Sequence, residues 1–556
     1  MGPRSNATVG PKRRTGRRVC TASRQQFTPA RGWGRLRRIM STPGRLSGLL
    51  LPLFSLRSRT DFGIGDFGAM DGLFSWMKAA RQRLLMVLPL LPTAPGDPSP
   101  YATRSAFGLN PLFIDLSQVP EFQATGGEGA LSDAQKQQLA EARAAARVRY
   151  DLVFPLKDAA FARAFDHFEK HEWAARTPRA QEFQKWREAQ GEWLESYALF
   201  TAISEKEDRR PWWQWPEGLR TRQPDALRAI QEQGLERRVR YHAWLQWLAE
   251  AQWNQVRAQA KAKDVLLCGD EPFIIGQDSS DCWAHPDILR RDARLGVPPD
   301  DFSATGQDWG LPYFDFAAME KDDYAWLKKR AAKAASYYDL RRVDHAVGYF
   351  RQWIRDEKNP TGYFVPADEP TWRRQGEKHF RLLSEGAGIV AEDLGVIPPF
   401  VRQILADLKL PGYRVLRWER DDNTYRDPHG FPAVSLVTTG THDTEPQAEW
   451  WEQAQEHERQ NAARAWPEFQ GVAVTREFTP DIHRATLAAA LNAGSDLCVL
   501  PWQDVLGTRD RINLPGTMGD ANWAYRIAQN TDALLTEPQT KDAAERLAWL
   551  TASSRR

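Results

Sequence analysis

Eight short, almost wholly apolar runs recur along this chain, most of them separated by segments of helical periodicity, and this alternation limits the fold more than any other feature. The runs begin at Leu46, Arg83, Asp264, Leu340, Gly388, Gly412, Val434 and Ser495. A strand buried on both faces loses the in–out alternation of a half-exposed strand and becomes continuously hydrophobic, as in a parallel sheet covered by helices. Eight such strands alternating with helices predict an α/β architecture, a (β/α)8 barrel, whose polar site lies at the C-terminal ends of the strands.

Three runs end in an acid where that site would be. Leu340-Arg-Arg-Val-Asp-His delivers Asp344, Gly388-Ile-Val-Ala-Glu-Asp delivers Glu392, and Val434-Ser-Leu-Val-Thr-Thr-Gly-Thr-His-Asp delivers Asp443. Facing carboxyls across a barrel mouth are the equipment of glycoside cleavage: an ionised acid attacks the anomeric carbon, and a protonated one gives its proton to the leaving oxygen. Arg342, two residues before Asp344, would keep that carboxylate charged, which makes Asp344 the nucleophile candidate. Asp393, adjacent to Glu392, would raise the glutamate as an acid catalyst requires. Thr444 and Gln447 form a capping-box pattern for a helix over 448–456. His345 and His442 each flank an acid without metal-ligand spacing, so hydrogen bonding to sugar hydroxyls is the reading favoured over a metal site.

Composition narrows the remaining classes. Hydrophobic residues make up 42% of the 556, ample for a large core. Residues 1–38 hold eleven Arg or Lys and no acid; a chain total of +3 less these eleven leaves −8, which offers no basic face for nucleic acid. The basic stretch, about 1–39, is expected to be a disordered extension, with a transit peptide to a plastid as the alternative to a cytoplasmic setting. No run reaches the roughly 18 apolar residues of a membrane helix. Four cysteines without metal spacing fit a reducing compartment, with Cys268 and Cys498 as buried apolar groups.

Between the strands, residues 122–263 carry aromatics at helical spacing, Phe161, Phe165 and Phe168 among them, and predict an all-helical insertion. Trp212-Trp-Gln-Trp, between prolines, is expected to be exposed. The region 278–322, rich in Gly and Pro, predicts a long loop serving as an active-site lid. Gly63-Ile-Gly-Asp-Phe-Gly matches a dinucleotide fingerprint formally, yet no acid lies between Asp71 and Asp97 to hold a ribose, so tight loop packing is preferred.

Taken in order, Arg342-Val-Asp-His, Ala391-Glu-Asp-Leu-Gly and Gly440-Thr-His-Asp resemble the 4-α-glucanotransferases, the amylomaltase or disproportionating-enzyme family (glycoside hydrolase family 77). Ser99-Pro-Tyr, Ser105-Ala-Phe-Gly-Leu-Asn-Pro, Gly306-Gln-Asp-Trp-Gly and Arg511-Ile-Asn-Leu-Pro-Gly extend the likeness from about residue 46 onward. The resemblance implies retaining transfer of α-1,4-glucan segments between a donor chain and a glucose or maltooligosaccharide acceptor, without cofactor or metal. It implies Asp344 as nucleophile, Glu392 as acid/base and Asp443 as transition-state stabiliser. Tyr101, Asp300, Gln307, Trp309, Arg342, His345, His442 and Asn513 match positions that contact glucan or support the acids. The chain departs from the common pattern at Thr444-Glu-Pro, at Ala346-Val-Gly and at Gly362-Tyr-Phe-Val-Pro-Ala-Asp-Glu-Pro. A retaining α-glucan hydrolase, or a glucan-binding protein that has lost catalysis, are the alternatives. Oligomeric state is not encoded in any of these features.

Overall fold

A computed structural model describes residues 2, 45–299, 305–517 and 519–556. The basic extension (apart from Gly2), Cys20 and Asp300 lie outside the described residues. All eight apolar runs become barrel strands: Leu46–Leu50, Leu84–Met86, Leu266–Glu271, Leu340–Val343, Gly388–Ala391, Gly412–Val415, Ser435–Thr438 and Leu497–Pro501. They pair in parallel in chain order, and the first closes on the eighth with Leu46 opposite Leu497. Nearly every residue in them is buried, which is why none alternates. Helices such as Met70–Ala79, Ala325–Tyr337, Pro399–Asp407 and Pro480–Asn492 follow or precede the strands.

The segment between strands two and three is helical, from Pro120–Ala124 to the 27-residue helix Glu236–Ala262. Its aromatics form core: Phe165 and Phe168 pack on the fully buried Trp244, with ring centroids 5.4 and 5.8 Å away. Trp212 and Trp215 also turn inward, at 8% and 3% exposure, against the expectation of an exposed loop. Proline-bounded turns have no period to reveal a buried face, and here Trp215 finds Phe200 and Trp283.

The region 278–322 differs most from expectation. Leu289–Val297 and Gln307–Phe314 form a hairpin in a four-stranded antiparallel sheet with Gln352–Arg355 and Tyr363–Val365. Charged and partly exposed residues such as Arg290, Arg291 and Asp292 follow one another along it, so the stretch has the composition of a loop although its backbone is paired. The departure at 362–370 falls partly on this sheet's outer strand. The Gly63 motif is a packed corner: Asp66 accepts from the Ala69 amide, and a Cβ at Gly65 would sit 2.0 Å from the Leu53 carbonyl oxygen.

Candidate active site

Strands three, four, five and seven each carry an acid to the same end of the barrel. Arg342, buried on strand four, organises two of them. Its Nη1 donates to both carboxylate oxygens of Asp270 at 2.7 Å and lies 2.9 Å from Asp344 Oδ1. Burial opposes a charge there, but Asp270 and Asp344 outweigh it and keep the guanidinium firmly protonated. Asp270 went unremarked in the sequence, although Cys268-Gly-Asp-Glu has the same strand-then-acid form as the other three.

Glu392 is anchored across strands four and five. His345 occupies the left-handed region (φ 44°), which aims its amide at Glu392 Oε2, 2.8 Å away, while the Leu394 amide reaches Oε1 at 3.0 Å. Burial pushes Glu392 up to about 7; the negative charge of Asp344 adds to this, and Arg342 opposes it. Asp393 is not the cause, contrary to expectation. Successive strand residues point to opposite sides, and Asp393 turns away to accept from the Tyr413 amide and pair with Arg402 and Arg414. Burial also pushes His345 down to about 4, so its imidazole is neutral at ordinary pH.

Asp443 sits on the open wall of the site, its side chain 43% exposed. His442 Nε2 lies 3.2 Å from Oδ2, and Asn513 Nδ2 donates to Oδ1 at 2.7 Å. Loss of solvent at the barrel mouth opposes its charge, but His442, Asn513 and Arg342 outweigh this and hold the carboxyl at about 2. Tyr101 joins the two halves. Its hydroxyl gives its single proton to Asp270 at 2.7 Å, so it must accept from His442 Nε2 at 2.9 Å.

The expected capping box is not formed. Thr444 instead bonds within its own turn, to Thr441, and the helix Gln447–Gln453 receives its cap from Asp504, which accepts from the Gln447 amide at 2.6 Å. At the departure near His345, the Ala346 side chain is fully buried, and a Cβ on Gly348 would come 2.6 Å from the Phe273 ring.

Trp309, on the hairpin, meets the His345 ring edge to face, with centroids 4.9 Å apart. Gln307 is exposed at the strand's start and accepts from the Trp309 indole at 3.1 Å. Of the residues picked from the sequence, Tyr101, Arg342, Asp344, His345, Glu392, His442, Asp443 and Asn513 converge, with Trp309 above them. Two aromatics at the mouth carry no site role in the sequence reading. Trp418, in the turn after strand six, is 49% exposed. Trp523 packs on Tyr101 and His442 at 5.6 and 5.9 Å. Trp523 also borders a cavity of about 1380 Å³ beside the helical insertion, which none of the three acids lines.

Known proteins resemble this chain over most of its length. The family model described as 4-alpha-glucanotransferase matches residues 51–531. A 4-alpha-glucanotransferase of Thermus thermophilus is 36% identical over 501 residues, 87% of this chain and 95% of that protein. One from Synechocystis is 34% identical over 88% of this chain and 95% of its own. Among solved structures, the amylomaltase from Streptococcus agalactiae in complex with acarbose superposes with a TM-score of 0.78 at 26% identity, covering 92% of this chain and 99% of that one. The amylomaltase from Corynebacterium glutamicum shares the fold, with a TM-score of 0.76 at 21% identity over 94% of this chain and 77% of that one. The chain belongs to the 4-alpha-glucanotransferase family, glycoside hydrolase family 77.

Proposed function

We propose that this 4-α-glucanotransferase works by retaining double displacement, with Asp344 as nucleophile, Glu392 as acid/base and Asp443 as transition-state stabiliser. In the first step an Asp344 oxygen bonds to the anomeric carbon as the glycosidic C–O bond breaks, and Glu392 passes its proton to the departing chain's 4-oxygen. In the second, the acceptor's 4-hydroxyl attacks that carbon, Glu392 takes its proton, and Asp344 leaves as a carboxylate. The opposed environments of the two carboxyls support these roles above all. Arg342 ion-pairs with Asp344, whereas burial beside that aspartate raises Glu392 to about 7.

Asp443, held ionised by His442 and Asn513, faces the positive charge that develops on the sugar. The hairpin bearing Gln307 and Trp309 acts as a cover that keeps water from the glycosyl-enzyme, so a sugar hydroxyl becomes the preferred acceptor. The donor is an α-1,4-glucan and the acceptor glucose or a maltooligosaccharide. A reducing, cytoplasmic setting suits the three buried, free cysteines Cys268, Cys282 and Cys498. No helix among the described residues is long and apolar enough to cross a membrane.

Trapping the intermediate tests the assignment. In Glu392→Gln, α-maltotriosyl fluoride should still glycosylate the enzyme, because fluoride leaves without a proton, but the second step lacks its base. Mass spectrometry should then find a maltotriosyl adduct on the peptide holding Asp344. An adduct on another residue, or none while fluoride is released, would overturn the assignment.

A further inference from the structure

Glu445 lies two residues beyond Asp443, inside the stretch where this chain departs from the common family pattern. Two arginines engage it. Arg511 Nη2 donates to Oε2 at 2.7 Å, and Arg417 Nη1 lies 3.3 Å from Oε1. Arg417 also donates through Nη2 to the Glu445 backbone carbonyl at 2.8 Å. Arg417 is only 2% exposed and comes from the turn after strand six, while Arg511 belongs to the loop after strand eight. Glu445 therefore joins the ends of three strands.

The loop after strand eight also carries Asn513, the donor to Asp443. Contacts between the two loops thus form two antiparallel rungs, Asp443 with Asn513 and Glu445 with Arg511. Gly440 lets this turn lie flat on its support, since a Cβ there would sit 2.7 Å from Thr444 Oγ1 and 3.2 Å from Arg417 Nη2. Asp443 is itself exposed, and its carboxylate is directed from two sides, by His442 on Oδ2 and by Asn513 on Oδ1, so the rung through Asn513 sets one of these two contacts. Charge-assisted bonds to a planar guanidinium are both strong and directional.

We propose that Glu445 is a positioning residue: through Arg511 and Arg417 it fixes the Asn513–Asp443 bond and thereby aims the Asp443 carboxylate at the reacting sugar. This rests on Asp443 acting as stabiliser. The step it serves is the chemical one, so its loss should appear in kcat and not in KM.

The test is steady-state transfer with maltotriose by Glu445→Gln, Asn513→Ala and their double variant, with thermal unfolding recorded for each. Glu445→Gln should lower kcat about tenfold, with KM within about twofold, since a small misplacement of a catalytic group is costly. The double variant should be no slower than the slower single, because both act through one carboxylate. Arg511→Lys, which keeps the charge but loses the fork, should follow Glu445→Gln and decides by the same criteria if that variant fails to fold. A lowered unfolding temperature with kcat unchanged would overturn the proposal, as would a double loss equal to the product of the singles. Asp443→Asn separates the two readings. If it leaves kcat intact, the stabiliser role falls; if it collapses kcat while Glu445→Gln does not, only the positioning role falls.

Discussion

Glu392 and Asp344 are both carboxyls near the same guanidinium, yet their surroundings differ. Asp344 has Arg342 at 2.9 Å, whereas Glu392 is anchored by amide donors and buried beside the negative Asp344. A Glu392 value near 7 sets the alkaline limb of kcat/KM, because the first step needs the protonated form. Activity should therefore fall as pH rises through about 7, and the titration of Glu392, followed by carbon-13 NMR of its labelled carboxyl, should move down when Asp344→Asn removes the neighbouring charge. The same shift makes a statement about stability. A folded value above the unfolded one means the native state binds the proton more tightly, so this contribution is present at acid pH and fades as pH climbs through 7. Glu392→Gln abolishes that dependence. Its unfolding temperature relative to the parent should rise from pH 5 to about pH 7 and then level off; a constant difference across that window would contradict the raised value. The raised value expected from Asp393 comes instead from burial. Strand alternation sends Asp393 to the other side, a point that counting residues from the strand end would have caught.

Among elements, the barrel strands were easy to find and the covering sheet was not, for one physical reason. A strand enclosed on both faces must be apolar along its length, and Leu340–Val343 keeps its two arginines only because Asp270 and Glu271 pair with them. The strands Leu289–Val297 and Gln307–Phe314 carry exposed charges such as Arg294 and Asp308, which pair at 2.7 Å, and adjoin Pro298, Pro299 and Gly306 in the sequence. Their hydrogen bonds hold them together, and composition does not report hydrogen bonds. This hairpin brings Trp309 over His345. Replacing that indole with alanine removes the cover without touching an acid. Trp309→Ala should lower kcat/KM for maltotriose about tenfold, chiefly through KM, from the lost aromatic area. It should also raise the share of turnovers that end in water. Unchanged partition between water and sugar would show that the hairpin does not exclude solvent.

At the scale of the molecule, segments hundreds of residues apart in sequence are fastened to one another. Strand one closes the barrel against strand eight, and Asp61 and Arg526, each about 1% exposed, form a two-point ion pair between the loop after strand one and the C-terminal segment. Removing one partner of a pair so deeply buried typically costs about 3–5 kcal/mol, so the pair commits these two distant segments to each other. The loop that carries Asn513 lies just before that anchor, and Trp523 links it to Tyr101. Such long-range fastening was not legible in the sequence, because it depends on partners hundreds of residues apart. What was legible is the plan: eight buried strands and acids at their mouths.

Transfer and hydrolysis by this site differ only in what attacks the Asp344-bound sugar, and the number of reducing ends distinguishes them. Incubated with maltotriose alone, the enzyme should release glucose and build maltopentaose and longer oligomers while the total of reducing ends stays constant. Glucose and maltose accumulating with a matching rise in reducing ends, and no longer products, would contradict glucan transfer.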